Sequence, residues 1–209
     1  MRRKLLLIGG GGHCHSVLDS AIALDIYDEL GVIDNIESSC LGVPVIGTDN
    51  DLPVLVKDGW NCAIVTVGSV GNTKMRRRLY EMIQRLGFTI PSIIDPTAII
   101  AKGVLIKNGC FIGKRAVVNT GAVINECCII NTGAIIEHDC KIGAFAHISP
   151  GTTLCGQVRV GSDSHIGAGS VVRQQITVGE SSLIGAGSVV VKDIAGHVKA
   201  YGNPCMVVE

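Results

Sequence analysis

The chain has 209 residues, and its 18 basic and 18 acidic side chains give a formal net charge of zero. This balance offers no attraction to nucleic acid or to an anionic membrane, so we expect neither as a partner. No apolar stretch approaches the roughly 18 residues of a membrane span, and the apolar run at residues 5–8 is too short for a secretion signal. We therefore expect a cytoplasmic protein with no membrane insertion.

Strands and helices are predicted to alternate over residues 1–90. Short apolar runs predict strands at 4–9, 30–34, 43–47 and 62–68, and apolar residues at helical spacing predict helices at 13–25, 52–57 and 73–86. Such alternation is typical of a small parallel α/β sheet. Ligands bind these sheets beyond the carboxyl ends of the strands, which here lie near Gly9, Asp34 and Gly68.

Four glycines at residues 9–12 follow the first predicted strand and lead into the first helix. A dinucleotide fingerprint needs a third glycine where Cys14 or His15 stands in the two possible registers, so we do not expect NAD. A glycine turn before a helix N-terminus still suits a diphosphate, because free amides and the helix dipole attract anions. A turn that serves only packing is the alternative.

Two other polar features of this region are open to interpretation. Asp34 and Asn35 end the second predicted strand, where either a ligand contact or an ordinary turn would account for them. Lys74, Arg76, Arg77 and Arg78 form a basic run on the last helix of the region, which we interpret as a solvated helix face.

An aliphatic residue recurs at every sixth position across the second half of the chain. The sixteen positions are Ile100, Ile106, Ile112, Val118, Ile124, Ile130, Ile136, Ile142, Ile148, Leu154, Val160, Ile166, Val172, Val178, Ile184 and Val190. A fixed repeat of this kind is typical of a solenoid, whose units bury their apolar sides only by stacking. We predict a triangular prism of about five turns with the aliphatic residues pointing inward and the residues two positions later mostly exposed. Glycine often follows the aliphatic residue, and we expect it to serve corners with positive φ.

The cysteines fit this prism as interior residues. Cys110, Cys128 and Cys140 stand two positions before an aliphatic residue, where the side chain is mostly small and faces inward. Nine cysteines without a C-x-x-C pair favour reduced thiols over a zinc site. Pro91 and Pro96 separate the two regions, so we predict an α/β domain at 1–90 and a prism with a C-terminal extension at 91–209.

Glu137, His138 and Asp139 interrupt a series otherwise filled by Asn, Thr and Gly. His138 stands two positions after an inward residue, which predicts a corner position facing outward. An imidazole with a carboxylate on its far ring nitrogen is suited to act as a general base, and an ordinary surface histidine is the alternative. His147 and His165 are eighteen residues apart and should stack in one column with Phe111, Ile129 and Leu183. One of the two histidines could contact a ligand, and we interpret His165 as surface decoration.

The sequence of residues 136–149, together with the strand–glycine–histidine opening and a second strand that ends in Asp, resembles the bacterial nucleotide-sugar acyltransferases of the sialic-acid and bacillosamine type (PglD-like). The resemblance covers both domains. It implies a Rossmann-like nucleotide-sugar-binding domain followed by a left-handed β-helix, in a homotrimer with active sites between neighbouring prisms. It also implies N-acetyl transfer from acetyl-CoA to a UDP-linked 4-amino-dideoxy sugar of the UDP-N-acetylbacillosamine type, without a metal.

The same resemblance implies roles for the residues at matching positions. His138 would be the general base tuned by Asp139, with Asn131 near the sugar or the base and the Gly156 amide as oxyanion donor. The coenzyme would contact His147, Gly156, Ala168 and Ala186, and the nucleotide sugar would contact Gly11, Gly12, His13, Asp34, Asn35 and Gly68. Asn35 stands where the family has a second acid.

Three other functions remain open from the sequence. The same base and coenzyme could O-acetylate a sialic acid or another sugar. A hexapeptide metal lyase could use His138, His147 and His165 across a subunit interface, although the close His-x4-His spacing of such enzymes is absent. A non-catalytic scaffold is the third alternative, and it offers no reason for the Glu-His-Asp interruption.

Overall fold

The computed structural model describes residues 3–36 and 39–208 of the chain. Its N-terminal part contains β1 Lys4–Ile8, α1 Gly12–Leu24, β2 Glu29–Ile33, β3 Ser39–Cys40, β4 Val43–Gly47, a 3-10 turn Asp49–Asp51, α2 Leu52–Lys57, β5 Cys62–Val65 and α3 Lys74–Arg85. The sheet order is β3-β4-β2-β1-β5, and all pairs are parallel except β3 with β4. The predicted alternation is confirmed, although the two-residue strand β3 was not predicted and β5 ends three residues before residue 68.

Alternate residues of β1 face opposite layers, as the period of a strand requires. Leu5 and Leu7 pack with α1 and with residues of the prism, whereas Leu6 and Ile8 pack with α2 and α3. The helix α1 therefore lies between the sheet and the prism. This arrangement places the glycine turn before α1 close to the junction of the two regions.

The second part is a left-handed β-helix of two-residue strands on three faces. The docked face, which contacts the N-terminal sheet region, has β6 Ile93–Ile94, β9 Phe111–Ile112, β12 Ile129–Ile130, β15 His147–Ile148, β18 His165–Ile166 and β21 Leu183–Ile184, followed by β23 Lys199–Tyr201 and β24 Met206–Val207. The apolar face has β7 Ile99–Ile100, β10 Val117–Val118, β13 Ile135–Ile136, β16 Thr153–Leu154, β19 Val171–Val172 and β22 Val189–Val190. The polar face has β8 Leu105–Ile106, β11 Val123–Ile124, β14 Lys141–Ile142, β17 Arg159–Val160 and β20 Thr177–Val178.

The predicted register of the prism is confirmed. Strands pair in parallel with partners eighteen residues away, so that His147 stacks on His165. Fourteen of the sixteen aliphatic residues are buried, and the residues two positions later are mostly exposed. Ile100 and Ile106 are only partly buried, because they lie in the first turn, which has a neighbouring coil on one side only. Cys110, Cys128 and Cys140 are fully buried in this interior.

The explanation expected for the glycines that follow the aliphatic residues is wrong. Positive φ occurs two positions further along, at glycines such as Gly133 and at other residues such as Asp139 and Gln157. At Gly143 a Cβ would instead collide with the backbone of Ser162 in the next coil. These glycines are needed for the close approach of stacked coils rather than for a left-handed conformation.

The helix α3 connects the two regions through an ion pair and hydrogen bonds. Arg77 forms a two-pronged ion pair with Asp163, with Nε and Nη2 at 2.7 and 2.6 Å from the two carboxylate oxygens. Arg76 is only 3% exposed, and its guanidinium donates to the backbone carbonyls of Phe145, at 3.0 Å, and Cys127. The interpretation of the basic run as a solvated face is therefore wrong for Arg76 and Arg77. None of the helices in the described ranges is long and apolar enough to cross a membrane.

Candidate active site

His138 lies at the corner that follows the apolar face, here called the histidine corner (Thr120, His138, Gly156, Gln174 and Lys192). Its Nδ1 lies 2.9 Å from Oδ2 of Asp139. Since a carboxylate can only accept, Nδ1 carries the hydrogen and Nε2 keeps its lone pair. Glu137 is not part of this pair, because its carboxylate accepts from the Asn119 amide at 3.1 Å. The geometry leaves His138 ready to accept a proton at Nε2.

The imidazole of His138 lies directly against Gly156 of the next coil. A Cβ at Gly156 would collide with the ring, and Nε2 would be its closest contact. The Gly156 amide donates no hydrogen bond within the described ranges, whereas its neighbours Cys155 and Gln157 both donate to backbone carbonyls. The equivalent amide of Thr120 is capped at 2.8 Å by the Asn119 side chain, and Cys155 offers no such cap. A free donor therefore lies beside the free lone pair of His138.

A cavity of about 340 Å³ opens at this corner, lined by His138, Gly156, Gln157, Gln174 and Gln175. Gln175 donates from its amide to Gln157 at 2.9 Å, so these side chains form a ladder above Asp139. An adjoining cavity of about 390 Å³ adds Lys141 and Arg159 from the polar face. The sequence interpretation did not identify the glutamines, although their spacing of eighteen residues was a readable signal.

Asn131 and His147 form a second polar group, on the docked side of the prism. The Nδ1 of His147 lies 2.9 Å from the Ser69 carbonyl and therefore donates to it. Its Nε2 lies 3.3 Å from Nδ2 of Asn131 and accepts from that amide. Burial lowers the pKa of His147 to about 4, to which the charges of His165 and Arg76 also contribute. His147 is therefore a neutral group in the junction between the two regions.

His165 stacks edge-on against His147, with ring centroids 4.8 Å apart. It is only 8% exposed, so the interpretation of His165 as surface decoration is wrong. The predicted column is confirmed, and Phe111, Ile129 and Leu183 belong to it. Ser149 lies 3.2 Å from Nε2 of His165, while the buried Nδ1 has no hydrogen-bond partner among the described residues.

Ala168 and Ala186 lie at the corner that follows the docked face. We call it the glycine corner (Lys114, Thr132, Pro150, Ala168 and Ala186), because each of the last four is followed by a glycine with positive φ. A Cβ on Gly133, Gly151, Gly169 or Gly187 would meet none of the described residues within 4 Å, so this edge is open along four coils. Within one chain, the glycine corner and the histidine corner are separated by the apolar face. The structure therefore does not bring Ala168, Ala186, Asn131 or His147 together with His138.

The residues predicted for the nucleotide sugar lie mainly around the carboxyl ends of β1 and β2. A cavity of about 370 Å³ there is lined by Ile8, Gly9, Ile33, Asp34, Asn35, Asp49, Val67, Met75, Arg78 and Leu79. Oδ2 of Asp34 accepts from the Gly10 amide at 2.5 Å, so Asp34 also holds the glycine turn in place. Asp49 and Arg78 were not predicted; their side chains are 3.7 Å apart and bring opposite charges to the cavity.

Gly11 and Gly12 stand at the N-terminus of α1 and are open to a ligand. Among the described residues, a Cβ at either would meet nothing within 4 Å, and no side chain of that part of the chain caps the helix. His13 and Gly68 are close together, with 3.3 Å from a Cβ at Gly68 to the Cβ of His13. The His13 ring packs edge-on against Phe111 at 5.3 Å, and burial lowers the pKa of His13 to about 3. His13 therefore faces the prism and does not line the cavity at the strand ends.

The possible metal ligands, including the three histidines of the metal-lyase alternative, are spread over different parts of the chain. Within residues 3–36 and 39–208, no three His, Cys, Asp or Glu residues are grouped so that they could hold a metal ion. His138 stands at a different corner from the column of His147 and His165. The three histidines of the metal-lyase alternative therefore do not converge within one chain.

Comparison with known proteins identifies similar chains. Residues 4–83 match the family model of the PglD N-terminal domain, and residues 157–192 match that of the hexapeptide repeat of succinyl-transferase. The acetyltransferase domain of PglB from Neisseria gonorrhoeae FA1090 is 39% identical with a TM-score of 0.94, and the match covers 99% of this chain and 100% of that one. The same domain has been solved in complex with acetyl coenzyme A, with 40% identity, a TM-score of 0.94 and full coverage of both chains.

A further similar structure comes from Caulobacter crescentus. It is a histidine-to-asparagine variant of perosamine N-acetyltransferase in complex with CoA and GDP-perosamine. It is 32% identical with a TM-score of 0.94, and the match covers 99% of this chain and 97% of that one. No curated protein matches the sequence.

Proposed function

We propose a specific reaction for this chain, which belongs to the PglD-like family of hexapeptide-repeat sugar acetyltransferases. The proposed reaction is N-acetylation of a UDP-linked 4-amino-dideoxy sugar of the UDP-N-acetylbacillosamine type. The chain is an acyltransferase whose co-substrate is acetyl-CoA. The observation that carries the proposed chemistry is the His138–Asp139 pair beside the free amide of Gly156. This pair supplies a proton acceptor and an oxyanion donor in the same place.

The reaction requires no covalent enzyme intermediate. The amino group attacks the thioester carbonyl, and Nε2 of His138 takes the proton that the new C–N bond makes acidic. The Gly156 amide donates to the oxygen that gains negative charge. When the tetrahedral intermediate collapses, the C–S bond breaks and the coenzyme thiolate receives the proton from Nε2. Asp139 holds the other nitrogen and stabilises the imidazolium that forms between these steps.

A homotrimer would complete the site. His138 and Gly156 lie at the histidine corner, whereas Asn131 and His147 lie on the docked side of the prism, next to the glycine corner. These two groups of residues can therefore meet only between two chains. The apolar face between these corners presents Ile99, Ile135 and Val171, of which Ile99 is 64% and Val171 39% exposed. Packing this face against the next prism around a three-fold axis would bring one subunit's histidine corner to its neighbour's glycine corner.

The coenzyme path proposed along Ala168 and Ala186 is supported by the shape of the glycine corner. Exposed small residues and glycines leave the backbone of four successive coils open there. The equivalent positions of the histidine corner carry Gln157, Gln174 and Gln175 instead. An extended pantetheine arm could therefore lie close to the backbone, with its thioester towards Asn131 and His147.

The nucleotide is proposed to bind at the strand ends beside α1. Gly11 and Gly12 offer free amides at a helix N-terminus, which suits a diphosphate. Asp34 and Asn35 line the adjoining cavity with groups that can bond a base or a ribose. His13 and Gly68 support this turn from the prism side. The proposed domain limits of 1–90 and 91–209 separate these nucleotide contacts from the catalytic prism.

An acceptor panel tests the proposed function. The purified protein is incubated with acetyl-CoA and UDP- or GDP-linked amino sugars, each paired with its hydroxyl analogue, and thiol release and the product mass are measured. We expect acetylation of a UDP-linked 4-amino-dideoxy sugar and none of its 4-hydroxy analogue. Transfer to the hydroxyl analogues alone would establish an O-acetyltransferase, and exclusive use of GDP-sugars would overturn the choice of nucleotide.

A further inference from the structure

The hydrogen bonds around His147 have a single consistent arrangement, because a backbone group fixes each end of their chain. At one end the Ser69 carbonyl can only accept, so Nδ1 of His147 donates to it at 2.9 Å and Nε2 keeps a lone pair. That lone pair accepts from Nδ2 of Asn131 at 3.3 Å. At the other end the backbone N–H of Thr132 donates to Oδ1 of Asn131 at 2.8 Å, which fixes the amide. A ring with its hydrogen on Nε2 would therefore face Asn131 donor to donor.

This arrangement determines what Asn131 offers to a ligand. Its amide has used one N–H on His147 and one lone pair on Thr132, which leaves one N–H and one lone pair without a partner among the described residues. Both ring nitrogens of His147 are already bonded within the protein. His147 therefore orients Asn131, and Asn131 is the group of the two that can bond a ligand. It directly precedes Thr132 of the glycine corner, where the acyl thioester is proposed to lie.

The buried Arg76 fixes the position of the Ser69 carbonyl relative to His147. Its Nη1 donates to Oγ of Ser69 at 3.3 Å and to the Phe145 carbonyl at 3.0 Å, and its Nη2 donates to the Cys127 carbonyl. Phe145 stands two residues before His147 on the same coil. One guanidinium therefore holds together the segment that supplies the acceptor and the coil that supplies the imidazole. The planar fork of an arginine suits this set of acceptors, and a lysine ammonium cannot reproduce it.

We infer that Arg76 is a positioning residue of the coenzyme site: acting through Ser69 and His147, it holds the Asn131 amide with its free N–H towards the acyl thioester. The inference rests on the proposed function, which places the thioester there. Burial lowers the pKa of His147 to about 4, and the charge of Arg76 contributes to this shift. The ring therefore stays neutral at neutral pH and keeps the lone pair that Asn131 needs. Since Arg76 and Ser69 belong to the N-terminal region, the coenzyme site of the prism depends on that region for its geometry.

Nitrogen NMR of the isotope-labelled histidine rings tests this arrangement without any turnover. In the wild type at neutral pH, His147 should carry its hydrogen on Nδ1, and Arg76→Lys should give a mixture of the two tautomers because Ser69 is no longer held. Arg77, the next residue of α3, attaches the same helix to Asp163 of the prism. Arg77→Gln is therefore the matched control for loose docking, and it should leave the tautomer unchanged. A wild-type hydrogen on Nε2, a single tautomer in Arg76→Lys, or an equal mixture in both variants would overturn the inference.

A double-mutant cycle in acetyl-CoA affinity, measured by calorimetry, tests whether Arg76 acts through His147. His147→Phe keeps an aromatic ring without nitrogens, and we expect it and Arg76→Lys each to weaken binding about fivefold, the effect of one misplaced hydrogen bond. The double variant should bind no worse than His147→Phe alone, because both changes remove the same orientation of Asn131. His147→Gln should restore most of the affinity, since its amide can both donate to Ser69 and accept from Asn131. Multiplied losses in the double variant, or unchanged affinity in the single variants, would remove the positioning role.

Two further measurements keep the outcomes distinct. Thermal unfolding shows whether each variant folds, and Ser69→Ala, which removes only the hydroxyl that Arg76 bonds, replaces Arg76→Lys in the cycle if lysine prevents folding. Acetyl-CoA binding is measured without an acceptor. A protein that meets both expectations but acetylates no amino sugar would therefore refute the proposed function and leave the positioning of Asn131 standing.

Discussion

The imidazole of His138 lies so close to the Cα of Gly156 that no side chain fits between them. Gly156 is not among the residues with positive φ, so alanine is compatible with its backbone. We expect Gly156→Ala to displace the imidazole and lower kcat about a hundredfold, because general-base catalysis depends on position. Initial rates at saturating concentrations of both substrates measure kcat, and Ser162→Ala is the control. Unchanged kcat would show that the ring works in another orientation.

His138→Ala should lower kcat by at least about a hundredfold, within the usual range for a general base. Acetyl-CoA binding should be nearly unchanged, because the side chain is exposed and outside the packed interior. Asp139→Asn should give an intermediate loss; asparagine tolerates the φ of +59° at this position, so the corner should persist. Near-normal kcat for His138→Ala would mean that an already neutral amine attacks without a base.

Ile142 is fully buried in the prism, and Ile142→Ala should lower the free energy of unfolding by about 2–5 kcal/mol. Leu105 is the matched control, because it also lies on the polar-face strands but is 63% exposed. Leu105→Ala should change stability by less than about 0.5 kcal/mol. Urea unfolding followed by circular dichroism measures both. Equal losses would contradict the inward register.

The sequence predicts the contacts that recur with the six-residue repeat of the prism, and it does not predict contacts that occur once. Each inward position needs an aliphatic side chain, so the repeat predicted which residues are buried and that His138 faces outward. It also predicted the column of His147 and His165, because strands eighteen residues apart stack. Arg76 could not be predicted in this way. Its carbonyl partners are 51 and 69 residues away and are set by how α3 meets the prism.

The candidate site shows the same limit. The interruption at residues 137–139 indicated a base, and the family resemblance implied Asp139 as the acid beside it. No residue pattern indicated that Glu137 bonds Asn119 instead of the ring. Asp49 and Arg78 reach the nucleotide cavity from separate elements, so no local motif marks them. The separation of His138 from Asn131 follows from the three-sided coil, and it became visible once both corners were placed.

His147 should make stability depend on pH. Its pKa is lowered from 6.5 to about 4 in the folded protein, so between these values the unfolded chain binds the extra proton. Its contribution is fully present above about pH 6.5 and is lost as the pH falls towards 4, by at most about 1.4 kcal/mol per pH unit. Urea unfolding at pH 7.5 and 5 should show a smaller difference for His147→Gln than for the wild type. If both proteins lost the same unfolding free energy between pH 7.5 and 5, His147 would take up a proton in the folded state as readily as in the unfolded state.

Mixing two inactive variants tests whether the site is shared between chains. His138→Ala removes the base from the histidine corner, and Asn131→Ala removes a group beside the glycine corner. If each site draws one corner from each of two neighbouring subunits, unfolding and refolding an equal mixture should restore roughly a quarter of the wild-type activity, since one interface in four receives both intact corners.

The two variants refolded separately are the controls and should stay inactive. Sedimentation of the wild type should show a trimer of the 21.8 kDa chain. A stable monomer at micromolar concentration, or trimers of the mixed variants without recovered activity, would contradict a site built from two chains. In that case His138 and Asn131 would have to act in separate steps or on separate ligands, because the apolar face keeps their corners apart within each chain.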